Sequence, residues 1–500
     1  MSPPLPEDDL RIGVPPAPDD YDILDSRRAG AIAMRGGAMR TLAFSGSLLL
    51  ALLTAPLVVR HLGDVDFGRY STVLAIVAIV TGLTEGGVNS VAMRALSSAA
   101  DRRERDRIMA DLLGLRMVLS TAGILIAVGF TQLAGYGGGL VLGALLAGIG
   151  MLLTVTQTLF AAVLQTRMRF GIASAIELGR GVLTAALLVV LVIAGAGVLA
   201  FLAIIIPAAL LSLIATVYVV RGTTVLRPAF AVDRWLPLMR ETAVFAIAVA
   251  INSLYFRVTL VIMSLVATAQ QTGEFAISFR VMEVLIGVPA ILASAAFPIL
   301  SRSARDDRER FDWASGRLFE LSLLSGVLLS LVLCLGAPFV VEVLTGSSTH
   351  PAADVLRIQS LAMIAIFVVS ATGYPLLSLH RHREILAANL GSLAVVAILA
   401  LALAPRIGAQ GGAIAAVAAD FTLCVAYVAA LGRNGPRLPL GAVPVALGAG
   451  GAAYVAGSLV GVHPLVEASA ALALFLGLLL VLRRFPAEVR ELLRRRAAPR

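Results

Sequence analysis

The chain has 500 residues, of which 59% are hydrophobic and only 14% are charged. A soluble domain carries about 45–50% apolar and about 25% charged residues, so this composition excludes an ordinary soluble enzyme or a disordered chain. The formal charge is +9, and all 40 basic residues are arginine. An excess of basic residues is typical of proteins that bind nucleic acid. Here the hydrophobicity of the chain indicates that the arginines set its orientation in a membrane, so no nucleic-acid partner is expected.

The sequence starts with an acidic segment rich in Pro and Asp, which is predicted to be a disordered cytoplasmic tail. This segment lacks the apolar core of a signal peptide. Long apolar runs follow it. About 20 apolar residues cross a membrane as a helix, and only helices or closed barrels can cross. The runs are too continuous for strand alternation. We therefore predict spans near 38–59, 71–93, 108–133, 139–165, 172–194, 197–220, 239–266, 273–300, 317–344, 353–379, 385–404, 409–431, 439–461 and 464–482.

The arginines support this number of spans. With a cytoplasmic start, nearly all arginines between the spans face the cytoplasm, and those facing outside are only Arg60, Arg69 and Arg406. One span more or fewer would invert every later connection and destroy this positive-inside asymmetry. Both termini are therefore predicted to be cytoplasmic.

Short motifs indicate an internal repeat of six helices. Phe67-Gly68-Arg69-Tyr70 opens the second span and Thr272-Gly273-Glu274-Phe275 opens the eighth, while arginine-rich loops at 165–169 and 379–383 precede the fifth and eleventh. Because six is even, the two halves share one orientation, as in transporters with parallel repeats. The predicted fold class is all-α: a polytopic membrane protein with about 14 transmembrane helices in two pseudo-symmetric six-helix lobes plus two C-terminal helices.

The predicted organisation follows from these spans. Its parts are an acidic tail at 1–37, a first lobe at 38–221, a cytoplasmic linker at 222–238, a second lobe at 239–433, helices 13 and 14 at 434–482, and a basic cytoplasmic tail at 483–500. Arginine clusters such as the one in the basic tail bind anionic lipid headgroups, so membrane lipids are expected partners. The alternative is that these arginines only mark the cytoplasmic end of the last span.

The motifs of common enzymes are missing. Without lysine a standard Walker A loop cannot form, and the sequence has no HExxH, no GxSxG and no metal-spaced His/Cys cluster. Cys334 and Cys424 lie in apolar runs and imply no redox motif. We expect neither an enzyme nor a bound cofactor.

Charged residues inside the spans are the candidate functional groups, since such residues usually face a cavity or a partner. Glu177 with Arg180, and Arg280 with Glu283, are spaced i, i+3; each is either a locally neutralised pair or part of a site. Arg116 and Arg257 have no acid nearby and need another helix, water or an anionic substrate. The favoured interpretation is a water-filled cavity whose guanidinium groups bind phosphate, with four arginines about 12 Å or more inside their spans: Arg116, Arg180, Arg257 and Arg280.

Acidic residues in the spans are candidate coupling groups. Glu85 and Asp420 stand alone, and each is either a proton or sodium coupling site or a polar bond between helices. Glu177 and Glu283 are further candidate cavity acids.

Three segments resemble the polysaccharide flippases of the multidrug/oligosaccharidyl-lipid/polysaccharide exporter superfamily. The first is Arg60–Gly63 followed by Phe67–Tyr70, and the second is Leu164–Phe170 leading into Glu177–Gly179. The third is Asn389–Gly391 followed by Pro405–Ala415 at the entry to the twelfth span. They occur in family order over about residues 38–435.

This resemblance implies two six-helix lobes around a cavity that alternates between the two sides of a bacterial cytoplasmic (inner) membrane. The implied substrate is an undecaprenyl-diphosphate-linked oligosaccharide for O-antigen, capsule or exopolysaccharide, and a polysaccharide polymerase or assembly complex is an implied partner. Because the sequence has no ATP site, transport would be driven by an ion gradient, the membrane potential or the supply of substrate.

The segment from Arg280 to Glu283 also resembles the eighth helix of lipid II flippases, where the arginine is linked to the lipid pyrophosphate. The first span, however, lacks the arginine of those flippases, which argues against lipid II as substrate. An alternative is a cation-coupled drug or metabolite exporter, but a cavity for cationic drugs should be lined by acidic and aromatic residues, and this sequence has four arginines deep in its spans. A membrane glycosyltransferase would need larger outer loops, and a scaffold that docks through the acidic tail could coexist with transport.

Overall fold

The computed structural model describes residues 29–85, 88, 92, 95–96, 101–166, 169–432 and 435–482. The helices of the first half are α1 (Ala29–Glu85), α2 (Arg102–Leu133), α3 (Gly138–Thr166), α4 (Phe170–Ile193), α5 (Val198–Ala203) and α6 (Ile205–Val220). Those of the second half are α7 (Val232–Val266), α8 (Ala269–Leu285), α9 (Gly287–Asp306), α10 (Arg308–Thr345), α11 (Ala352–Ser360), α12 (Ala362–Ser378), α13 (His382–Leu431), α14 (Ala442–Ser458) and α15 (Pro464–Val481).

These helices account for the predicted spans. In the described part of the chain, nine helices are long and apolar enough to cross a membrane, or ten with one bent pair, and two shorter apolar helices accompany them. Two long helices divide at non-helical residues, and α5–α6, α8–α9 and α11–α12 join, which gives fourteen crossing segments. The predicted all-α polytopic fold is confirmed. Most of the acidic tail and the whole basic tail lie outside the described residues.

Glycines mark two sharp turns within continuous helical segments. Gly63 in α1 has φ of 68°, and Gly408 in α13 has φ of 60°. Side chains with a Cβ rarely adopt this left-handed region, so glycine is required there. These turns divide the first span from the second and the eleventh from the twelfth.

The eighth span is bent by 48° within α9, between the segments Ala269–Ile291 and Ala296–Ala304. The helix is also interrupted earlier, at Ile286, which keeps helical backbone angles and is followed by Gly287 and Pro289. Proline has no N–H to donate to the preceding turn, and glycine is a weak helix former, so this sequence interrupts the helix. The break places a helix end close to the charged residues of α8.

The packing repeats at the six-helix offset. In the first lobe the first two spans pack on α4, α2 packs on α3, and α3 packs on α6; in the second lobe α7 packs on α13, α10 on α11–α12, and α12 on α13. The additional helices α14 and α15 pack on each other and on α10. The lobe boundaries given above stay a prediction.

Helix α1 joins the two lobes, because it packs against α7 and α8 as well as against α4. The largest cluster of buried apolar residues runs across this junction, from α1 through α8 to α10 and α12. A second junction involves α2: the Ala229 N–H donates to the Ala110 carbonyl at 2.8 Å, and Arg234 pairs with the buried Asp111 at 2.7 Å. The start of α7 is thus fixed to the first lobe while its remainder packs in the second.

Candidate functional site: a cavity between the lobes

A cavity of about 300 Å³ lies where α1, α4, α7 and α8 meet. Both halves of α1 line it, from Thr54 to Val58 and from Phe67 to Thr81, and α4 contributes Leu188. Its charged lining residues are Arg257, Arg280 and Glu283. The remainder is mostly apolar, so charge in this cavity is concentrated in one cluster.

Glu283 connects the two arginines of this cluster. Its Oε1 accepts a hydrogen bond from Arg257 Nη2 at 2.7 Å, and its Oε2 accepts one from Arg280 Nη1 at 2.8 Å. The side chains retain 30% (Arg257), 38% (Arg280) and 30% (Glu283) of their exposure. Two guanidinium groups share one carboxylate, so the cluster has one net positive charge.

The cluster lies deep within the spans. Arg280 and Glu283 are one helical turn apart on α8, and Arg257 lies on the neighbouring α7. At 1.5 Å per residue, Arg280 is about 16 Å from the start of α8, and Arg257 is about 14 Å from the end of α7. Guanidinium groups donate in a planar fork that matches two oxygens of a phosphate. The arrangement can therefore hold an anion in the middle of the molecule.

Glu177 and Arg180 form their own pair on α4. Their carboxylate and guanidinium groups are hydrogen-bonded, and both side chains remain partly exposed. Glu177 precedes Leu188 by three helical turns, so both residues lie on one face of α4, about 16 Å apart. Glu177 therefore lies on the cavity side of α4, but neither residue of the pair is part of the cavity lining.

Arg116 lies elsewhere. It is only 1% exposed and packs between α2 and α3, where its guanidinium group approaches the Val155 carbonyl at 3.4 Å and Thr158 Oγ1 at 3.5 Å. The structure does not bring it to the cavity, and its role in substrate binding gains no support. The side chain of Glu85 lies outside the described part of the chain.

A second, smaller cavity of about 40 Å³ lies within the second lobe and contains Asp420. The Tyr255 hydroxyl donates a hydrogen bond to the Asp420 carboxylate. Gln359 also lines this cavity: its Oε1 accepts from Ser278 at 2.6 Å, and its Nε2 has no partner among the described residues. This volume accommodates water, and its lining offers a carboxylate and an amide donor.

Phe279 separates the two cavities, since it lines both. Its ring stacks on Phe275 with centroids 6.1 Å apart. Tyr255 and Arg257 likewise belong to different cavities although they are neighbours on α7. Movement of α7 or α8 would therefore change both cavities together.

The lobes also meet at the end that the arginine distribution predicts to be outside. A Cβ added to Gly273 would lie 2.0 Å from the Asp64 carbonyl oxygen, and one added to Gly68 would lie 2.8 Å from the Gly273 nitrogen. His350 Nε2 lies 2.9 Å from Asp64 Oδ1, and Arg60 donates to the Val343 carbonyl at 2.8 Å. We call Asp64, Gly68, Gly273 and His350 the outer seam.

A family model described as polysaccharide biosynthesis protein matches residues 33–304. The chain belongs to this family. Among curated proteins, none matches it in sequence.

Solved structures with the same fold belong to the superfamily named above. The lipid II flippase MurJ in an inward closed conformation has a TM-score of 0.75 and 12% identity, covering 89% of this chain and 99% of that one. An inward-facing multidrug resistance MATE family transporter of the MOP superfamily has a TM-score of 0.65 and 15% identity, covering 78% and 97%. A MOP superfamily transporter from Pyrococcus furiosus, described by the reverse polarity of its binding pocket, has a TM-score of 0.51 and 13% identity, covering 81% and 94%. The predicted resemblance to MOP exporters is confirmed.

Several contacts of this polysaccharide biosynthesis family member were not predicted from its sequence. Tyr255 and Gln359 beside Asp420, and His350 beside Asp64, are partners contributed by distant helices. Nothing in the local sequence marks them, because each pairing depends on which face a helix turns towards its neighbour. The Gly68–Gly273 contact had a signal: both glycines belong to the repeated motif.

Proposed function

We propose that this MOP-superfamily transporter flips an undecaprenyl-diphosphate-linked oligosaccharide across the bacterial cytoplasmic membrane by alternating access. The observation that carries the proposal is the pair Arg257 and Arg280, which share one carboxylate at the cavity between the lobes. The protein acts as a transporter and not as an enzyme, and its termini lie in the cytoplasm.

The chemistry of the substrate fits this cavity. A diphosphate head cannot cross hydrocarbon unaided, because burying its charge is prohibitive. Arginine keeps its charge in the membrane and offers paired donors to phosphate oxygens. The lipid tail would remain in the bilayer while the head passes Arg280 and Arg257, with Arg180 on α4 as a further contact. Anionic lipids would bind the basic cytoplasmic tail, and a polymerase or assembly complex would receive the product.

We infer that Asp420 is the coupling group, with a proton or a sodium ion as the coupled species. It is an acid inside a span, in a small cavity of its own, with Tyr255 as its hydrogen-bond donor. Intramembrane acids of this kind are typical of proton relays. Because α7 carries both Tyr255 and Arg257, a change at Asp420 would reach the arginine cluster along one helix.

The test is a flipping assay in proteoliposomes with a fluorescent undecaprenyl-diphosphate oligosaccharide. Arg280→Ala and Arg257→Ala each remove a phosphate donor, so we expect at least a tenfold loss of transfer, since a charged hydrogen bond contributes about 1.5–3 kcal/mol. Arg357→Ala removes an arginine from an exposed i, i+3 pair on α11 and serves as the matched control.

Three outcomes would contradict the proposal. Transfer that survives both cavity changes would make those arginines structural. Movement of a cationic dye in place of every diphosphate lipid would favour a drug exporter, and transfer of lipid II alone would favour a lipid II flippase. The net positive charge of the cluster argues against the cationic cargo.

A further inference from the structure

The Glu283 carboxylate lies where an anionic group of a substrate would bind. Its two oxygens accept from different arginines, at 2.7 Å from Arg257 and 2.8 Å from Arg280. Two oxygens of a diphosphate would satisfy the same two donors. The carboxylate and a diphosphate therefore compete for these two donors, Arg257 Nη2 and Arg280 Nη1.

We propose that Glu283 is an internal competitor of the substrate: the diphosphate displaces it from Arg257 and Arg280, and Glu283 takes up one proton from water as the lipid binds. The proton leaves again when the lipid is released. This inference rests on the proposed function and adds a regulatory step to the same site.

The charge balance of the cavity supports the proton. The titratable groups that line it in the described part of the chain are Tyr70 from α1, Arg257 from α7, and Arg280 and Glu283 from α8. Two arginines, one carboxylate and a diphosphate with two negative charges leave one net negative charge. A buried charge without a partner is costly, and protonation of Glu283 brings the total to zero.

The position of Glu283 allows the exchange. It is in the last turn of α8, three residues before Ile286, where α8 ends and α9 follows. Its side chain is 30% exposed, which leaves room for another rotamer. The carboxylate can therefore move away from the arginines by a change of rotamer, with the helix unchanged.

The test measures proton uptake on the intact protein in detergent. The probe is a farnesyl-diphosphate-linked N-acetylglucosamine, in which each phosphate has a single, fully ionised charge. Calorimetric titrations in two buffers of different ionisation enthalpy give the number of protons taken up per lipid. We expect about one, and because binding is linked to proton uptake, Kd should rise about tenfold per pH unit between about pH 6 and 8.

Glu283→Gln keeps the shape and removes the charge. We expect this variant to bind the probe more tightly than wild type at pH 8, without proton uptake and without pH dependence. Glu320→Gln is the matched control, because Glu320 also follows its arginine, Arg317, by three residues and lies outside the cavity lining. It should behave as wild type.

The outcomes separate the two proposals. Binding of the probe by wild type without proton uptake would overturn this inference and leave the proposed function standing, even if Glu283→Gln failed to fold. Equally tight binding of phosphatidylglycerol with the same proton uptake would overturn the diphosphate as the competing group. No binding of the probe by wild type or Glu283→Gln would overturn the proposed function itself.

Discussion

At the scale of single residues, the two cavities differ in the partners of their acids. Glu283 is held by two arginines, whereas Asp420 receives a hydrogen bond from the neutral hydroxyl of Tyr255. A carboxylate between two guanidinium groups is already compensated, and a carboxylate with one neutral donor is not. As long as the arginines hold Glu283, Asp420 is for this reason the better group to bind and release a cation.

Asp420→Asn tests this assignment. The amide keeps the size of the side chain but cannot bind a proton, so we expect an imposed pH gradient, acidic outside, to accelerate lipid transfer several-fold more in wild type than in the variant, in which only the proton uptake of Glu283 still responds to pH. Transfer without a gradient should be unchanged, as should binding of the diphosphate probe. The measurement is the flipping rate in proteoliposomes with and without the gradient.

The exposed Asp354 of α11 supplies the control, since Asp354→Asn removes an acid that lines neither cavity. If Asp420→Asn responded to the gradient like this control, coupling would have to lie elsewhere.

At the scale of helices, α1 contacts the second lobe through glycines. Gly68 meets Gly273 at the outer seam, and Gly82 meets Ser253 of α7, where an added Cβ would lie 2.2 Å from the serine Cβ. The cavity-lining residues from Tyr70 to Thr81 lie between these contacts. Close approach of α1 at both places encloses the cavity.

Gly273→Ala should weaken the outer seam. The methyl group collides with the Asp64 backbone, so we expect the lobes to separate there and the cavity to become more accessible from outside. In a background lacking Cys334 and Cys424, Ser71→Cys places a thiol in the cavity lining. Its labelling by a membrane-impermeant maleimide added outside should become several-fold faster.

Gly477→Ala is the matched control, because Gly477 has no atom within 4 Å of an added Cβ. Equal labelling rates in the two alanine variants would show that the outer seam accommodates the methyl group and that Gly273 and Asp64 are not in tight contact.

At the scale of the whole molecule, the lobes are joined at the outer seam by polar groups. Ala352 N donates to His350 Nδ1 at 3.1 Å, so the ring carries its proton on Nε2 and donates to Asp64. Arg60 holds carbonyls at the end of α10. Outward opening has to separate these contacts, because Asp64 and Arg60 belong to α1 and their partners to the second lobe.

Cross-linking across the seam should stop transport. Cysteines at Asp64 and His350, joined by a short bifunctional thiol reagent, would keep the lobes together, and we expect flipping to fall to background. A cleavable reagent should restore it on reduction. The corresponding pair at Asn389 and Tyr427 lies within the second lobe, where the side chains are 2.8 Å apart, and its cross-link should leave flipping intact. Transport by the seam-linked protein would contradict alternating access.

The sequence predicted the spans well because their signals are local: apolar length, arginine-rich connections, and glycine turns at Gly63 and Gly408. It could not predict helix rotation, because helices that are apolar all round have no face that marks the core. Arg116 and Arg257 illustrate this, as both are isolated arginines deep in apolar spans. Arg257 lines the cavity and Arg116 packs between α2 and α3. The residues that contact Asp420 and Asp64 are likewise determined by how each helix is rotated about its axis, which the sequence does not show.

The glycine contact of the outer seam has a consequence for how this protein can vary in evolution. Glycine is the smallest residue, so every codon change at Gly68 or Gly273 that alters the residue adds atoms to a contact with no space for them. Mutational drift at these two codons is therefore biased in one direction: it can loosen the closed state but cannot tighten it. Lineages that need a more firmly closed protein would have to acquire the change elsewhere, at side chains such as His350 and Arg60.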